Sequence, residues 1–257
     1  AGGGFGGKIT RSNHVAAAAA LGAARTHRPC RLVLDLASDM QMTGSRFPTL
    51  LRYKLRCQPT GKITALVVDV YMGQSKVLSD FATFAAQELT CLIPSVYDIP
   101  NLDVNVRIAA LNIAINTACR APGSPKASLL INTIMAHVAQ ATGRPVHVVM
   151  QANFPERRAV GLLQSPAQKG HFFEMWKELS ERVRFDEKLR EVEEWNKTHK
   201  TLKRGVSMTP GRFTIIQVPG TATVQIHYGG GSTPMDGSIT IHVNGCEIGQ
   251  GLHTKVV

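Results

Sequence analysis

A glycine-rich segment near the start of the chain has the composition of an anion-binding loop. Residues 2–8 have the sequence GGGFGGK. Glycines lack a Cβ, so backbone N–H groups in such a loop can approach a phosphate closely, and the N-terminus of a following helix attracts negative charge. The segment fits the phosphate-binding pattern GxxxxGK, but Ile9 stands where a hydroxyl residue would hold Mg²⁺. It fits the dinucleotide-binding pattern GxGxxG only in part, and a tight turn without a ligand is the alternative.

Two later loops have features that suit the same ligand. The first, NTACRAPGSP at 116–125, contains two prolines and Arg120 and precedes a predicted helix, and the second, CEIGQGLHTK, spans 246–255. An arginine side chain can bind an anionic oxygen, although a salt bridge that locks the loop is the alternative for Arg120. The sequence therefore predicts that three loops, far apart in the chain, meet around one anionic ligand.

The charge distribution favours a small anion over nucleic acid. The 257 residues include 29 Lys and Arg against 18 Asp and Glu, a net charge of +11. Much of the excess lies in residues 1–60, beside the glycine loop, and does not form one basic stripe. Aromatic residues make up only 6% of the chain, and no base-reading module is recognisable. A basic nucleic-acid binder is the least favoured alternative.

The cysteines and histidines do not form a metal or disulfide pattern. The five cysteines are widely spaced without a CxxC pair, and no HxH or HExxH spacing occurs among the histidines of the last strands. We therefore expect no metal site made by side chains of this chain, and a cytosolic location. No apolar run approaches the ~20 residues of a membrane span, so we expect no membrane association.

Periodicity and breaker residues predict interspersed helices and strands, and hence an α+β fold with mixed sheets and packed helices. Helices are predicted at 12–27 (buried and Ala-rich), at 80–92, at 126–141 with Leu129 on the apolar face, and as two amphipathic segments within 171–199. Strands are predicted at 30–37, 104–108, 213–218, 222–228 and 238–244, with a hairpin formed by 50–57 and 63–71.

Five sequence blocks, in this order, resemble the molybdenum-binding part of the xanthine dehydrogenase and aldehyde oxidase family. They are GGGFGGK at 2–8, SDMQMTGSRFPTLLRYK at 38–54, YDIPN at 97–101, NTACRAPGSPK at 116–126 and EIGQGLHTK at 247–255. The resemblance implies a molybdopterin cofactor and the hydroxylation of aldehydes or N-heterocycles with water as the oxygen source. It also implies a small-molecule substrate, and a homodimer when the protein is full length.

The same resemblance divides the chain and assigns residues to the cofactor. Residues 1–200 correspond to a first molybdopterin-binding subdomain, and 201–257 to the start of a second. In the family, the phenylalanine and the next glycine of the first block lie beside the oxo ligand of the metal. The implied cofactor-binding residues are Gly4, Phe5, Gly6, Ala118, Cys119, Arg120, Gly249 and Gln250.

Several catalytic parts of the family have no counterpart in this chain. The glutamate base that activates a metal-bound hydroxide corresponds to a position beyond Val257, and the iron–sulfur and FAD modules belong to other parts of the full-length relatives. The chain also starts within one glycine motif and stops directly after another. We therefore expect a fragment of a longer polypeptide, without a catalytic residue of its own and with weak cofactor binding when isolated.

The substrate pocket departs from the pattern of xanthine-oxidising members. Ile9 and Glu88 replace a glutamate and an arginine, and two aromatic rings of the family correspond to Pro122 and Gln217. A purine is oriented by polar partners, so their loss disfavours xanthine and is compatible with an aldehyde. The alternative is a catalytically inert relative that serves as a scaffold or interaction protein.

Overall fold

Helices and short sheets alternate along the chain in the computed structural model, which describes residues 3–77, 79–155, 172–213, 220–227 and 237–257. The helices are α1 (Ser12–Thr26), α2 (Leu36–Thr43), α3 (Ala82–Leu92), α4 (Ser124–Thr142), α5 (Val146–Ala152), α6 (Phe172–Arg182), α7 (Phe185–Thr198) and α8 (Leu252–Val256). The strands are β1 (Thr49–Cys57), β2 (Ile63–Ser75), β3 (Ser79–Asp80), β4 (Leu102–Leu111), β5 (Asn116–Thr117), β6 (Ala222–Ile226) and β7 (Ile239–Val243). The predicted α+β class is confirmed.

The main sheet has the strand order β1-β2-β4. β1 and β2 form the predicted antiparallel hairpin, and β4 pairs with β2 in parallel through a crossover that contains α3. Gly61 in the hairpin turn has a φ of 88°, a conformation that glycine adopts without strain. β3 and β5 form a small parallel pair that leads directly into the loop of Arg120.

The hydrophobic core lies between this sheet and the helices α3, α4 and α5. It includes Leu66, Val68, Val70, Leu89, Ile131, Ile134, Met135 and Val149, all nearly inaccessible to solvent. Each such side chain stabilises the fold by about 1.5–3 kcal/mol through burial. The predicted apolar face of α4 was partly wrong, because Leu129 is 72% exposed while Ile131, two residues later, is buried.

A fully buried asparagine connects the hairpin turn to the helical layer. The Asn153 amide donates to the carbonyl oxygens of Gly61 and Val149, each at 2.8 Å, and its side-chain oxygen accepts the Ile63 N–H at 2.8 Å. Three backbone groups that are cut off from water thereby gain partners, which a buried polar group requires.

Two predictions for the first 40 residues were wrong. The Ala-rich helix α1 forms, but none of its residues is buried, because alanine favours a helix without needing a packing partner. The predicted strand at 30–37 is absent, since no described strand pairs with this segment and helix α2 begins within it. Asp35 caps α2 by accepting the Ser38 N–H at 3.0 Å, and this bond lowers the pKa of Asp35.

The two predicted amphipathic helices in the second half of the chain, α6 and α7, are confirmed. Phe172 and Trp176 of α6 pack edge-on against Phe154, with ring centroids 4.8 and 5.1 Å apart, and so attach α6 to the core. Beyond α7, strands β6 and β7 form an antiparallel pair near the predicted positions. The predicted strand at 213–218 falls almost entirely outside the described residues, and α8 was not predicted.

Among the described residues, none of the helices is both long and apolar enough to cross a bilayer. The proposed boundary between residues 200 and 201 stays a prediction.

Candidate functional site

Three loops that are distant in the chain meet at Phe5. The Phe5 N–H donates to the Ile248 carbonyl at 2.8 Å, and the Phe5 carbonyl accepts the Arg120 N–H at 2.7 Å. The backbone of Phe5 is therefore bonded to both of the other predicted loops. The three loops therefore meet as expected: Phe5 bonds to Arg120, and the loop of Gln250 reaches Phe5 through Ile248, whereas close approach of Gln250 itself stays a prediction.

Glycines allow these backbones to approach each other. A Cβ on Gly249 would lie 2.5 Å from Phe5 Cζ, and one on Gly6 would lie 3.2 Å from the Ala118 carbonyl oxygen. Both glycines also have positive φ angles, 103° and 85°. A side chain at either position would separate the loops or strain the backbone, so the glycine motifs are required for the junction itself.

The backbone at this junction is strained at non-glycine residues. Phe5, Arg120 and Ala121 have φ angles of 46°, 23° and 53°. Each such conformation costs about 1–3 kcal/mol and persists only where the surroundings impose it, often at ligand-binding sites. The strain falls on two of the three loops that the sequence singled out.

Arg120 faces Phe5 and has no acidic partner within the described ranges. Its guanidinium carbon lies 5.9 Å from the centroid of the Phe5 ring, a cation–π contact. The sequence alternative of a salt bridge that locks this loop is not formed by the described carboxylates. The positive charge of Arg120 is therefore open to an anion at the junction.

The loop of Arg120 is held by an arginine to which the sequence assigned no such role. The Arg46 guanidinium donates to the carbonyl oxygens of Arg120 (2.7 Å) and Ala121 (3.2 Å). Arg46 lies inside one of the blocks that carry the family resemblance, but its type alone did not indicate what it binds. Only its position beside two carbonyls identifies it as part of the loop framework.

The first loop is fixed by an ion pair. Lys8 Nζ contacts the Asp39 carboxylate of α2, and both side chains are partly buried. Cys119 packs on the same loop, because a Cβ on Gly7 would lie only 3.2 Å from Cys119 Cβ. The lysine of the GxxxxGK pattern is thus engaged within the protein, which disfavours the phosphate-binding-loop alternative.

The third loop is organised by two of its own side chains. Gln250 accepts the Ile248 N–H and donates to the Cys246 carbonyl, both at 2.7 Å. The Glu247 carboxylate accepts N–H groups from Gly249 at 2.6 Å and Gly251 at 3.1 Å. Partial desolvation raises the pKa of Glu247, but these and neighbouring backbone donors outweigh it and hold the pKa below its ordinary value. Glu247 was not predicted as a structural residue.

The remaining predicted cofactor residues lie around the same junction. Ala118 is buried directly beneath Gly6, and the Gly4 carbonyl accepts the Lys8 N–H at 3.1 Å within the first loop. The N–H groups of Gly6 and Gly7 donate to no acceptor among the described residues. Free backbone donors beside an unpaired arginine form a donor set that fits an anionic or oxo-bearing group.

The predicted substrate-pocket residues differ in their surroundings. Ile9 is 51% exposed and Pro122 is partly buried. Both oxygens of Glu88 are occupied, since Oε2 accepts the Gly123 N–H at 2.6 Å and Oε1 accepts the Ser124 hydroxyl at 2.5 Å. Gln217 lies outside the described residues.

The described side chains do not build a metal centre. No group of three or more His, Cys, Asp or Glu residues in the described ranges is arranged to hold an ion. The junction instead offers backbone N–H groups and one guanidinium, which bind the ligands of a metal rather than the metal itself.

Comparisons with known proteins agree with this arrangement. A family model described as "Molybdopterin cofactor-binding domain" matches residues 1–154, and a second model with the same description matches residues 178–257. The xanthine dehydrogenase/oxidase of Felis catus is 36% identical over 262 residues, and aldehyde oxidase 2 of Rattus norvegicus is 31% identical over 258 residues. Both alignments cover 100% of this chain and 19% of the relative, so the chain spans about a fifth of their length.

Solved structures show the same fold at lower identity. The aldehyde oxidoreductase from Desulfovibrio desulfuricans matches with a TM-score of 0.69 and 20% identity over 93% of this chain and 25% of that one. A Cu,Mo-CO dehydrogenase matches with a TM-score of 0.73 and 17% identity over 97% of this chain and 33% of that one. With the family models, which match most of the sequence, these findings show that the chain belongs to the molybdopterin cofactor-binding domains of the xanthine dehydrogenase and aldehyde oxidase family.

Proposed function

We propose that this chain forms one wall of the molybdopterin site in an oxidoreductase that hydroxylates an aldehyde or an N-heterocycle with water as the oxygen source. The observation that carries the proposal is the junction at Phe5, where three glycine-containing loops share backbone hydrogen bonds. Such a junction holds free N–H donors and one cation on adjoining loops, which suits a polar, anionic cofactor.

The residues of the junction would each act on the bound group in a distinct way. When bound, the molybdenum cofactor supplies the oxygen transfer and accepts the electrons. The free N–H groups of Gly6 and Gly7 would donate to an oxygen ligand without adding a competing side chain. The Arg120 guanidinium would balance negative charge, and the Phe5 ring beneath it would restrict access of water to that charge.

The pocket residues favour an aldehyde over xanthine. Ile9 and Pro122 have no polar group with which to orient a purine, and both Glu88 oxygens already accept bonds from the protein. A site that lacks the polar partners of a substrate loses discrimination for it. The fourth residue of this set, Gln217, remains a prediction from the sequence.

Other parts of the active protein would come from outside this chain. We propose that the glutamate base, the iron–sulfur clusters and FAD belong to further segments of a full-length protein that works as a homodimer in the cytoplasm. The first test is the mass of the native polypeptide in its source cells, measured by immunoblot. We expect a mass far above the 27.8 kDa of this chain. A native mass of 27.8 kDa would instead favour the inert relative, or an enzyme completed by a second chain.

The activity is tested on the purified native protein. We expect bound molybdenum, a pterin released on denaturation, and oxidation of aldehydes at a higher kcat/KM than xanthine. The variant Arg120→Ala should bind at least about tenfold less cofactor per chain than the wild type does, because it loses a charge-assisted contact. The control Arg52→Ala, an exposed arginine on β1, should retain the normal amount. Absence of both cofactor and turnover in the native protein would contradict the proposal and favour the inert scaffold.

A further inference from the structure

Two charged side chains, Arg46 and Glu88, form hydrogen bonds with four residues of the Arg120 loop. Arg46 donates to the carbonyl oxygens of Arg120 and Ala121, and Glu88 accepts from the Gly123 N–H and the Ser124 hydroxyl. The two residues come from different parts of the fold, the segment between α2 and β1 and the helix α3. We call this arrangement the loop clamp.

Arg46 and Glu88 are each followed in the chain by a buried residue. The residue after Arg46 is Phe47, which is buried, and the Lys126 ammonium donates to the Phe47 carbonyl. Glu88 precedes the fully buried Leu89 in α3. Because their backbones are fixed by packing, the two side chains can impose a geometry on the loop instead of following it.

The loop needs such support because its conformation is unfavourable. Arg120 and Ala121 have positive φ angles, and Gly123 lies so close to α3 that a Cβ there would be 2.4 Å from the Leu89 nitrogen. A strained backbone relaxes unless its surroundings hold it. The carbonyls bound by Arg46 belong to the two strained residues themselves.

We propose that Arg46 and Glu88 are positioning residues that force the loop into the strained conformation in which Arg120 faces Phe5. This assigns Glu88 to the framework of the site and not to substrate binding. The effect of Arg46 and Glu88 on the loop conformation involves this chain alone, whereas their effect on the cofactor rests on the proposed function.

The effect on the loop conformation is tested by limited proteolysis with trypsin, which cleaves after arginine and lysine and therefore can cut after Arg120. The carbonyl oxygen of that bond is bound by Arg46 in the folded protein, and a locally ordered loop resists cleavage. In Arg46→Gln we expect trypsin to cleave between Arg120 and Ala121 at least about tenfold faster than in the wild type. Mass spectrometry of the fragments measures the rate. Arg46→Lys, which keeps the charge but cannot bind both carbonyls, should be intermediate.

Matched controls separate the loop clamp from general destabilisation. Glu88→Gln should also accelerate cleavage at this bond, whereas the exposed Arg52→Gln and Glu178→Gln should leave the rate unchanged. Circular dichroism identifies any variant that fails to fold, and Arg46→Lys and Glu88→Gln then decide the result. Wild-type cleavage rates in the folded Arg46 and Glu88 variants would overturn the proposal.

The effect on the cofactor is measured in the native full-length protein. We expect the folded Arg46→Gln variant to retain at least about tenfold less molybdenum than the wild type, because a released loop no longer presents Arg120. Faster proteolysis with unchanged molybdenum would overturn the link between the loop clamp and the cofactor. A wild type without molybdenum would refute the proposed function while leaving the proteolysis result to decide the loop clamp.

Discussion

The N–H of Arg120 donates to the carbonyl oxygen of Phe5 at 2.7 Å, and the Arg120 guanidinium lies over the ring of the same phenylalanine. One residue of the second loop is thus tied to one residue of the first through both backbone and side chain. Because Phe5 also donates to Ile248, a disturbance in any one of the three loops should reach the other two. The site is a single unit built on backbone contacts.

Replacement of Gly249 by alanine should open this junction. The new Cβ would lie 2.9 Å from the backbone Cα of Gly3 and 2.5 Å from Phe5 Cζ, on a backbone with a φ of 103°, so the two loops must move apart. We expect hydrogen exchange of the Phe5 amide, measured by NMR, to become at least about tenfold faster. Gly205→Ala is the matched control, since a Cβ there meets nothing within 4 Å. Unchanged exchange in Gly249→Ala would show that the loops do not depend on this close approach.

Removal of the buried amide of Asn153 should destabilise the whole domain. Asn153→Ala leaves the Ile63 N–H and the Gly61 carbonyl without partners in the core. We expect the free energy of unfolding in urea to fall by about 2–4 kcal/mol. Asn112→Ala, at an exposed position directly after β4, should change it by less than about 0.5 kcal/mol. Equal effects of the two substitutions would contradict the role of Asn153.

The two faces of α4 should respond differently to truncation. Ile131 is completely buried, so Ile131→Ala should lower the unfolding free energy by about 2–5 kcal/mol through lost burial and a cavity. The substitution Leu129→Ala removes a similar side chain from a position that is 72% exposed, so it should lower the unfolding free energy by less than about 0.5 kcal/mol. Urea denaturation of both variants measures the contrast, and a larger effect of Leu129→Ala would place the core on the opposite face.

The stability of the protein should depend on pH through Lys126. Partial burial, with a smaller contribution from the charge of Arg46, lowers the pKa of Lys126 from its ordinary value of 10.5 to about 8. Between these two values the unfolded chain binds more protons at this residue than the folded chain does. The contribution of Lys126 to the unfolding free energy therefore rises with pH from about 8 to 10.5, and is lost as the pH falls through 8.

The variant Lys126→Met isolates this effect. The unfolding free energy of the wild type minus that of Lys126→Met should increase as the pH is raised from 8 to 10.5, as measured by urea denaturation at several pH values. Lys62→Met, which replaces a lysine of the hairpin turn, serves as the control for the general effect of alkaline pH. A wild-type advantage that stays constant over this range would contradict the lowered pKa of Lys126.

Local pattern determined much of this protein from the sequence alone. The alternation of 63–71, the apolar period of 126–141 and the breakers around them depend on neighbours in the chain, and the hairpin and α4 formed as predicted. The three loops could also be singled out, because clustered glycines, prolines and an arginine have limited uses wherever they occur. The resemblance carried by their order gave the family.

The tertiary structure alone decided which partner each polar side chain finds. Glu88, whose place in a substrate pocket stays a prediction, accepts bonds from a loop 35 residues away, and Lys8 is paired with Asp39 of α2. The exposure of α1 and the absence of a strand at 30–37 are of the same kind. Burial, strand pairing and ion pairing depend on surfaces brought together by the complete fold, and such contacts leave no period or spacing in the local sequence.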